Sequence, residues 1–167
     1  SYIDELANGP GMRKSDFANS GNLLLDGLLN QAYERAVKAK IQMKLRLEIP
    51  YKLNISDADL YVILGNALEN ALEASLKAKP FNRRIHAEIY LHHKHLLLIQ
   101  VENTFEGKIQ EKNHIFQSSK RNGNGVGIQS VRHIAEKNGG DSSFTYENGV
   151  FTAKIMLRIQ KTAVSHP

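Results

Sequence analysis

The sequence contains no cysteine and no tryptophan, and only six tyrosines and six phenylalanines among 167 residues. Without cysteine the chain can have no disulfide scaffold, no thiolate metal site and no cysteine nucleophile. So few aromatic side chains argue against a stacking platform for single-stranded nucleic acid. No apolar run approaches the roughly 18 residues that a membrane-spanning helix needs. The expectation is a soluble domain of a reducing compartment.

The charge balance is mildly basic, with 22 Lys and Arg against 17 Asp and Glu and a net charge of +5. Such a surplus is compatible with an anionic ligand but is weak evidence for nucleic acid, which we do not expect as a partner. The length fits one domain, and 41% hydrophobic residues are enough for a core.

Hydrophobic periodicity predicts three helices and five strands. The helices are predicted at 22–40, 57–79 and 126–138, and the strands at 41–49, 85–91, 97–101, 144–147 and 150–159. Several strands follow one another without an intervening helix, which favours a mostly antiparallel sheet. The predicted fold class is therefore α+β, a two-layer sandwich with a mixed, mostly antiparallel sheet and about three helices on one face.

The polar, aperiodic stretch 104–122 interrupts this pattern. A structureless segment of that length inside a compact domain is usually a lid or a binding loop. We interpret it as a lid that is ordered by its ligand.

The second predicted helix carries Asn66, Asn70 and Glu73 on one stripe beside its apolar face. Asparagine in a helix costs roughly 0.5–0.7 kcal/mol relative to alanine, so two of them one turn apart suggest a use for their amides. An amide oxygen is a suitable ligand for Mg²⁺ that also binds substrate phosphates. The simpler alternative is a solvated polar face.

A glycine-rich segment, with Gly123, Asn124, Gly125 and Gly127, leads into the third helix. Glycines allow close backbone approach, and free N–H groups at a helix N-terminus bind phosphate; the alternative is a tight turn. The segment matches neither the dinucleotide fingerprint nor a Walker loop. Asn103 ends a strand, where it could contact a base edge or simply begin a turn.

In this order and spacing, these features resemble the GHKL superfamily of ATPases, which includes gyrase and the histidine kinases and has the Bergerat fold. Residues 63–71 resemble the histidine-kinase N box, and residues 123–128 resemble the second glycine box. The resemblance covers roughly residues 20–159. It is closest to the Gram-positive sensor kinases typified by the peptide-pheromone receptors of accessory-gene-regulator systems. The segments similar to that branch are 20–30, 101–107, 118–120 and 134–140.

The resemblance implies a role for each matched position. Asn70 matches the asparagine that chelates Mg²⁺, Asn66 matches the catalytic polar residue of the N box, and Asn103 matches the acidic residue that reads the adenine amino group. The remaining nucleotide-binding residues implied by the resemblance are Lys120, Gly123, Asn124, Gly125 and Gly127.

Two departures from the family pattern are visible. The usual Asp-x-Gly of the first glycine box is absent, with Asn103 in place of the aspartate and Phe105 in place of the glycine. Asn66 stands where hydrolysing members have a glutamate general base. This second departure favours transfer to a protein side chain over activation of water.

The resemblance therefore implies the ATP-binding catalytic domain of a two-component sensor histidine kinase, with ATP and Mg²⁺ as cofactors. Its γ-phosphoryl group would pass to a histidine on a dimerisation domain that is absent from this chain. We assign residues 1–20 to a remnant of the dimerisation helix and linker, 21–160 to the catalytic domain and 161–167 to a disordered tail. The parent protein is expected to be a membrane-anchored homodimer with this domain in the cytoplasm, acting on a cognate response regulator.

Two alternatives stay open: a nucleotide-binding regulatory module without transfer activity, and an anti-sigma-type serine kinase or ATPase. The seven histidines bear on whether a histidine-kinase domain of this kind could phosphorylate itself. Only His133 is predicted to lie on a helix, and its neighbour Arg132 is not the acidic residue expected beside a phosphoacceptor. The isolated chain is therefore not expected to phosphorylate itself.

Overall fold

The computed structural model describes residue 18 and residues 20–50, 53–107, 111–112, 115–116 and 126–159. The helices in these ranges are α1 (Leu23–Lys38), α2 (Asp57–Leu76) and α3 (Val126–Lys137). The strands are β1 (Gln42–Glu48), β2 (Arg84–His92), β3 (Leu96–Thr104), β4 (Glu111–Lys112), β5 (Ile115–Phe116), β6 (Asp141–Glu147) and β7 (Val150–Arg158).

Five strands form one mixed sheet in the order β1-β2-β3-β7-β6. Only β1 and β2 run parallel, since helix α2 connects them, and the other neighbouring pairs are antiparallel. In β3, the buried Leu97, Ile99 and Val101 alternate with half-buried residues, so one sheet face is covered. The predicted α+β sandwich with a mostly antiparallel sheet is confirmed.

Helix α1 begins at a network of polar contacts that the sequence segment 20–30 encodes. The Asn22 side chain accepts a hydrogen bond from the backbone N–H of Leu25 at 3.0 Å. The Asp26 carboxylate accepts hydrogen bonds from the backbone N–H and the hydroxyl of Ser20. The segment that resembles the pheromone-receptor branch is thus a helix cap that fixes how the chain enters the domain.

Helix α2 ends at Leu76, three residues before the predicted end at residue 79. The reason is Pro80, because a residue that precedes proline is pushed out of the helical region; Lys79 is extended, with φ −62° and ψ 143°. The guanidinium of Arg83 then donates to the carbonyls of Leu76, Ala78 and Ala39. One positive charge thereby satisfies carbonyls at the C-terminal ends of both α1 and α2.

Tight turns join two pairs of antiparallel strands. Asn148 and Gly149 have φ values of 52° and 76°, which a two-residue type I′ turn requires, and they join β6 to β7. His93 and Lys94, with φ values of 52° and 63°, lie in the turn between β2 and β3.

The segment 104–122 is not wholly irregular, contrary to the prediction. Strand β3 continues to Thr104, and the short strands β4 and β5 pair with each other. The predicted terminal segments fall largely outside the described residues. Within the described part of the chain, no helix is long and apolar enough to cross a membrane.

We expect opposite effects from the same substitution at two glycines. A Cβ on Gly140 would overlap the Met156 carbonyl of β7, so Gly140→Ala is expected to lower the free energy of unfolding by about 3 kcal/mol. Gly27 lies on exposed helix surface with nothing within 4 Å of its Cβ position, so Gly27→Ala should raise it by about 0.5–1 kcal/mol. Urea unfolding followed by circular dichroism measures both; equal effects would contradict this packing.

Candidate functional site

The candidate site lies where the N-box residues of α2 meet the first turn of α3. A Cβ built on Gly127 would lie 3.0 Å from Oδ1 of Asn66. Only a residue without a side chain allows the two helices to come this close without a shift of Asn66. The structure therefore brings together two positions, Asn66 and Gly127, that are far apart in the sequence and were predicted to share a site.

The amide of Asn66 has a defined orientation. Its Nδ2 donates to the carbonyl of Val62, one turn earlier in α2, at 2.7 Å. Because the nitrogen is held by the helix, the oxygen is the atom directed at Gly127. A polar acceptor is thus fixed beside a helix N-terminus, where backbone N–H groups lack intrahelical partners.

Asn70 lies one turn further along the same stripe of α2 and is half-buried. Its side chain forms no hydrogen bond with any residue in the described ranges. Its amide is therefore available to a ligand, and its oxygen suits a hard cation such as Mg²⁺ that keeps waters and binds phosphates. Among the described residues, no cluster of three or more His, Cys, Asp or Glu could hold a metal ion by itself.

Asn103 lies at the end of β3, on the covered face of the sheet, and is 3% exposed. Its Nδ2 donates to the carbonyl of Thr104 at 2.9 Å. One N–H of the amide is thus bonded, and the neutral Oδ1 is the atom of this side chain that can accept a hydrogen bond. A buried polar side chain of this kind can discriminate between donors and acceptors on a ligand.

The chain leaving β3 is held to its neighbours until Gly107. The N–H of Phe105 donates to the carbonyl of Gly149, and its ring contacts Tyr146 edge to face at 5.6 Å between centroids. The Glu106 carboxylate accepts from the backbone N–H of Lys79 and from the Asn82 side chain. These anchors were not predicted, because nothing in the sequence pairs them.

A second set of contacts links the beginning of α2 to the end of α3. It consists of Asp59, Lys137 and Asn138, and we call it the Asp59 clamp. The Asp59 carboxylate receives the Asn138 Nδ2 at 3.1 Å and the Lys137 Nζ at 3.2 Å. The hydrogen bond from Asn138 and the Lys137 ammonium hold the pKa of Asp59 below its usual value, although burial opposes this. Asp59 also takes part in the cap of α2, because its backbone N–H donates to the Ser56 hydroxyl at 3.1 Å.

A family model described as the GHKL domain matches residues 55–158. The chain belongs to the GHKL domain family. That range includes both helices of the site and strand β3, which carries Asn103. No curated protein matches the sequence.

Solved structures similar to this GHKL domain include three histidine kinases. The mycobacterial sensor histidine kinase MprB has 17% identity and a TM-score of 0.63, over 84% of this chain and 96% of that one. The nucleotide-free catalytic domain of histidine kinase ThkA has 17% identity and a TM-score of 0.64, over 84% and 92%. Acinetobacter baumannii AdeS has 16% identity and a TM-score of 0.58, over 93% and 74%. At such identities the likeness shows a shared fold.

The structure thus places Asn66, Asn70, Asn103 and Gly127 within the GHKL domain, and it brings Asn66 and Gly127 into contact. The other predicted site residues lie outside the described residues; these are Lys120, Gly123, Asn124 and Gly125. Their roles stay predictions.

A cavity of about 380 Å³ lies between α1 and α2 and borders the candidate site. Val62 and Asn66 are among its lining residues, together with Leu28 and Leu68. The guanidinium of Arg35 and the carboxylate of Glu69, also in this lining, form an ion pair at 2.6 Å. Polar links therefore connect α2 to each of its neighbouring helices.

We expect Gly127→Ala to displace the Asn66 side chain, because the added methyl would be 3.0 Å from its oxygen. The measurement is the side-chain ¹⁵N–¹H resonance of Asn66, which should shift as the hydrogen bond to Val62 is strained. Gly27→Ala makes the same chemical change in open space and should leave that resonance unmoved. An unchanged Asn66 signal in the Gly127 variant would contradict the close approach.

Proposed function

We propose that this GHKL domain binds Mg·ATP between α2 and α3 and is the catalytic domain of a sensor histidine kinase. The γ-phosphoryl group would be transferred to a histidine on a dimerisation domain outside the sequence. The observation that carries the proposal is the contact between Asn66 and Gly127, which joins the N box to the first turn of the helix that follows the glycine-rich segment.

The residues present fit a nucleoside triphosphate and its metal ion. The N-terminus of α3 offers N–H groups and the positive end of a helix dipole, both of which favour phosphate. The absence of a side chain at Gly127 allows the Asn66 amide to lie directly beside that backbone. Asn70 would supply an amide oxygen to Mg²⁺, which neutralises phosphate charge when bound, and Asn66 would orient the phosphates from the facing helix.

At the other end of the site, Asn103 would recognise the base. Its Oδ1 can accept one hydrogen bond from the exocyclic amino group of adenine, while Thr104 holds the amide nitrogen. Hydrogen bonds to a neutral acceptor are weaker than those to a carboxylate, roughly by half. We therefore expect a lower affinity for ATP than an aspartate at position 103 would give.

The finer assignment concerns the branch and the cellular context. We propose the peptide-pheromone receptor branch of accessory-gene-regulator type, and the helix cap formed by Ser20, Asn22 and Asp26 supports it because these residues belong to the similar segment. On this reading the domain lies in the cytoplasm as part of a membrane-anchored homodimer. Its partners are its own dimerisation domain and a cognate response regulator.

We expect Asn70→Ala to lose most Mg²⁺-dependent nucleotide affinity while the fold is retained. The variant removes an amide oxygen that has no partner in the described ranges, and alanine should favour the helix by about 0.5 kcal/mol. The measurement is calorimetric titration with a non-hydrolysable ATP analogue, with and without Mg²⁺. The affinity of the variant for the analogue should be about tenfold or more below that of the parent, and only when Mg²⁺ is present.

A matched control is available for this experiment. Asn30→Ala makes the same change on α1, where the exposed Asn30 donates to the Ala18 carbonyl at 3.4 Å, and this variant should bind the analogue as the parent does. If Asn70→Ala bound Mg·nucleotide as tightly as Asn30→Ala, the metal role of Asn70 would be wrong. If the parent itself bound no analogue, the proposed function would be wrong.

We also expect that the isolated chain binds ATP without phosphorylating itself. His133 is exposed on α3, but it lies less than two turns after Gly127 on the same rigid helix, so it cannot approach a phosphate held at that helix's N-terminus. Incubation with γ-labelled ATP should leave the chain unlabelled, whereas a dimerisation segment supplied in trans should accept label. Acid-labile label on this chain alone would contradict the prediction, and binding without any transfer in trans would favour a regulatory module.

A further inference from the structure

The Asp59 clamp joins the beginning of α2 to the end of α3, whereas the candidate site lies where the middle of α2 meets the beginning of α3. Asp59 and Asn66 are separated by about 10 Å along α2, at 1.5 Å per residue. The two helices are antiparallel, because Asp59 meets Asn138 and Asn66 meets Gly127. Whatever sets the angle of α3 at the clamp therefore also sets where its first turn lies beside Asn66.

The C-terminal end of α3 is attached to the rest of the domain by several contacts besides the clamp. The carbonyl of Asn138 accepts a hydrogen bond from the N–H of Arg158 in β7 at 3.1 Å. Gly139, with φ 68°, turns the chain so that Gly140 packs directly on the Met156 carbonyl. The helix is thus held at the end remote from the site, and only the clamp connects that end to α2 through side-chain hydrogen bonds in the described residues.

The chemistry of the clamp suits a role in setting position. Ile63 of α2 and Val131 and Ala135 of α3 are buried in the same apolar core, and apolar packing tolerates small slides and rotations. A carboxylate that accepts hydrogen bonds from two donors does not tolerate such movements, because a shift of about one ångström breaks the hydrogen bonds. Asp59 is only 7% exposed, so a broken bond would leave a charge with little access to water.

We propose that Asp59 is a positioning residue for the nucleotide site: through Lys137 and Asn138 it fixes α3 so that Gly127 rests against Asn66. This inference rests on the proposed function for its consequence in binding, but not for its geometry. Among the described residues, Asp59 is hydrogen-bonded to Ser56, Lys137 and Asn138 and to neither Asn66 nor Asn70. Its effect on the site would be transmitted by the rigid body of α3.

The test is the variant Asp59→Asn in this chain. The substitution keeps the size of the side chain, removes its charge and places an NH₂ group opposite the NH₂ of Asn138. We expect the affinity for a non-hydrolysable ATP analogue to fall about tenfold, the lower range for loss of an outer positioning partner. The Asn66 side-chain ¹⁵N–¹H resonance should also shift in the nucleotide-free protein.

Two controls separate positioning from a general loss of stability. Arg46→Gln breaks the exposed ion pair with Glu48 on the edge strand β1 and should change neither the affinity nor the Asn66 resonance. Ile89→Val removes a methyl from the buried core of β2 and should lower the melting temperature with the same two readouts unmoved. If either control moved them as far as Asp59→Asn does, the inference would be overturned.

A milder variant keeps the test decisive if Asp59→Asn does not fold. Lys137→Met keeps the stem of the side chain and leaves the carboxylate bonded to Asn138, so smaller shifts in the same direction are expected. An unmoved Asn66 resonance in the folded clamp variants overturns the inference, whatever the nucleotide does. If the resonance moves in the clamp variants but the parent chain itself binds no nucleotide, the geometry is supported and the proposed function is wrong.

Discussion

The candidate site depends on how closely α3 can approach α2. Asn66 and Gly127 are neighbours at a distance where any side chain on Gly127 would have to displace the amide. The oxygen is directed there because Val62 holds the amide nitrogen from within the helix. The hydrogen bond within α2 and the absence of a Cβ on Gly127 together place an amide oxygen beside the N-terminus of α3. A helix N-terminus favours an anion, and an amide oxygen suits a cation bound to that anion.

The geometry of α2 explains why its surface is divided. Its buried residues face the sheet, and each flank faces a different helix. The flank toward α1 contains the ion pair of Arg35 with Glu69. The flank toward α3 contains Asp59 near its start and Asn66 further along. A single amphipathic pattern cannot distinguish these two flanks, because both read simply as polar positions beside an apolar stripe.

The sequence predicted well what depends on local pattern. Three helices, the five-stranded sheet and the turn at Asn148 and Gly149 follow from periodicity and from residues that tolerate positive φ. The N box and the glycine-rich segment were found by their order and spacing. The end of α2 was predicted three residues too late: Pro80 marks a nearby helix end, but the helix stops at Leu76 and Lys79 is already extended.

The contacts that the sequence did not predict are those between charged or polar residues far apart in the chain. Asp59 and Asn138 are 79 positions apart, and Glu106 meets Asn82 across 24. Each has an adequate local explanation, a helix cap for Asp59 and a loop for Glu106, so nothing in the pattern calls for a distant partner. Only the packing of α3 on α2 and of the β3 exit on the α2–β2 connection decides which polar groups lose water and must be paired. The pair of Glu106 with Asn82 holds the chain just before the segment between β3 and α3, and the pair of Asp59 with Asn138 holds the helix that follows it. The positions of Gly107 and Gly127 therefore depend on contacts made outside that segment.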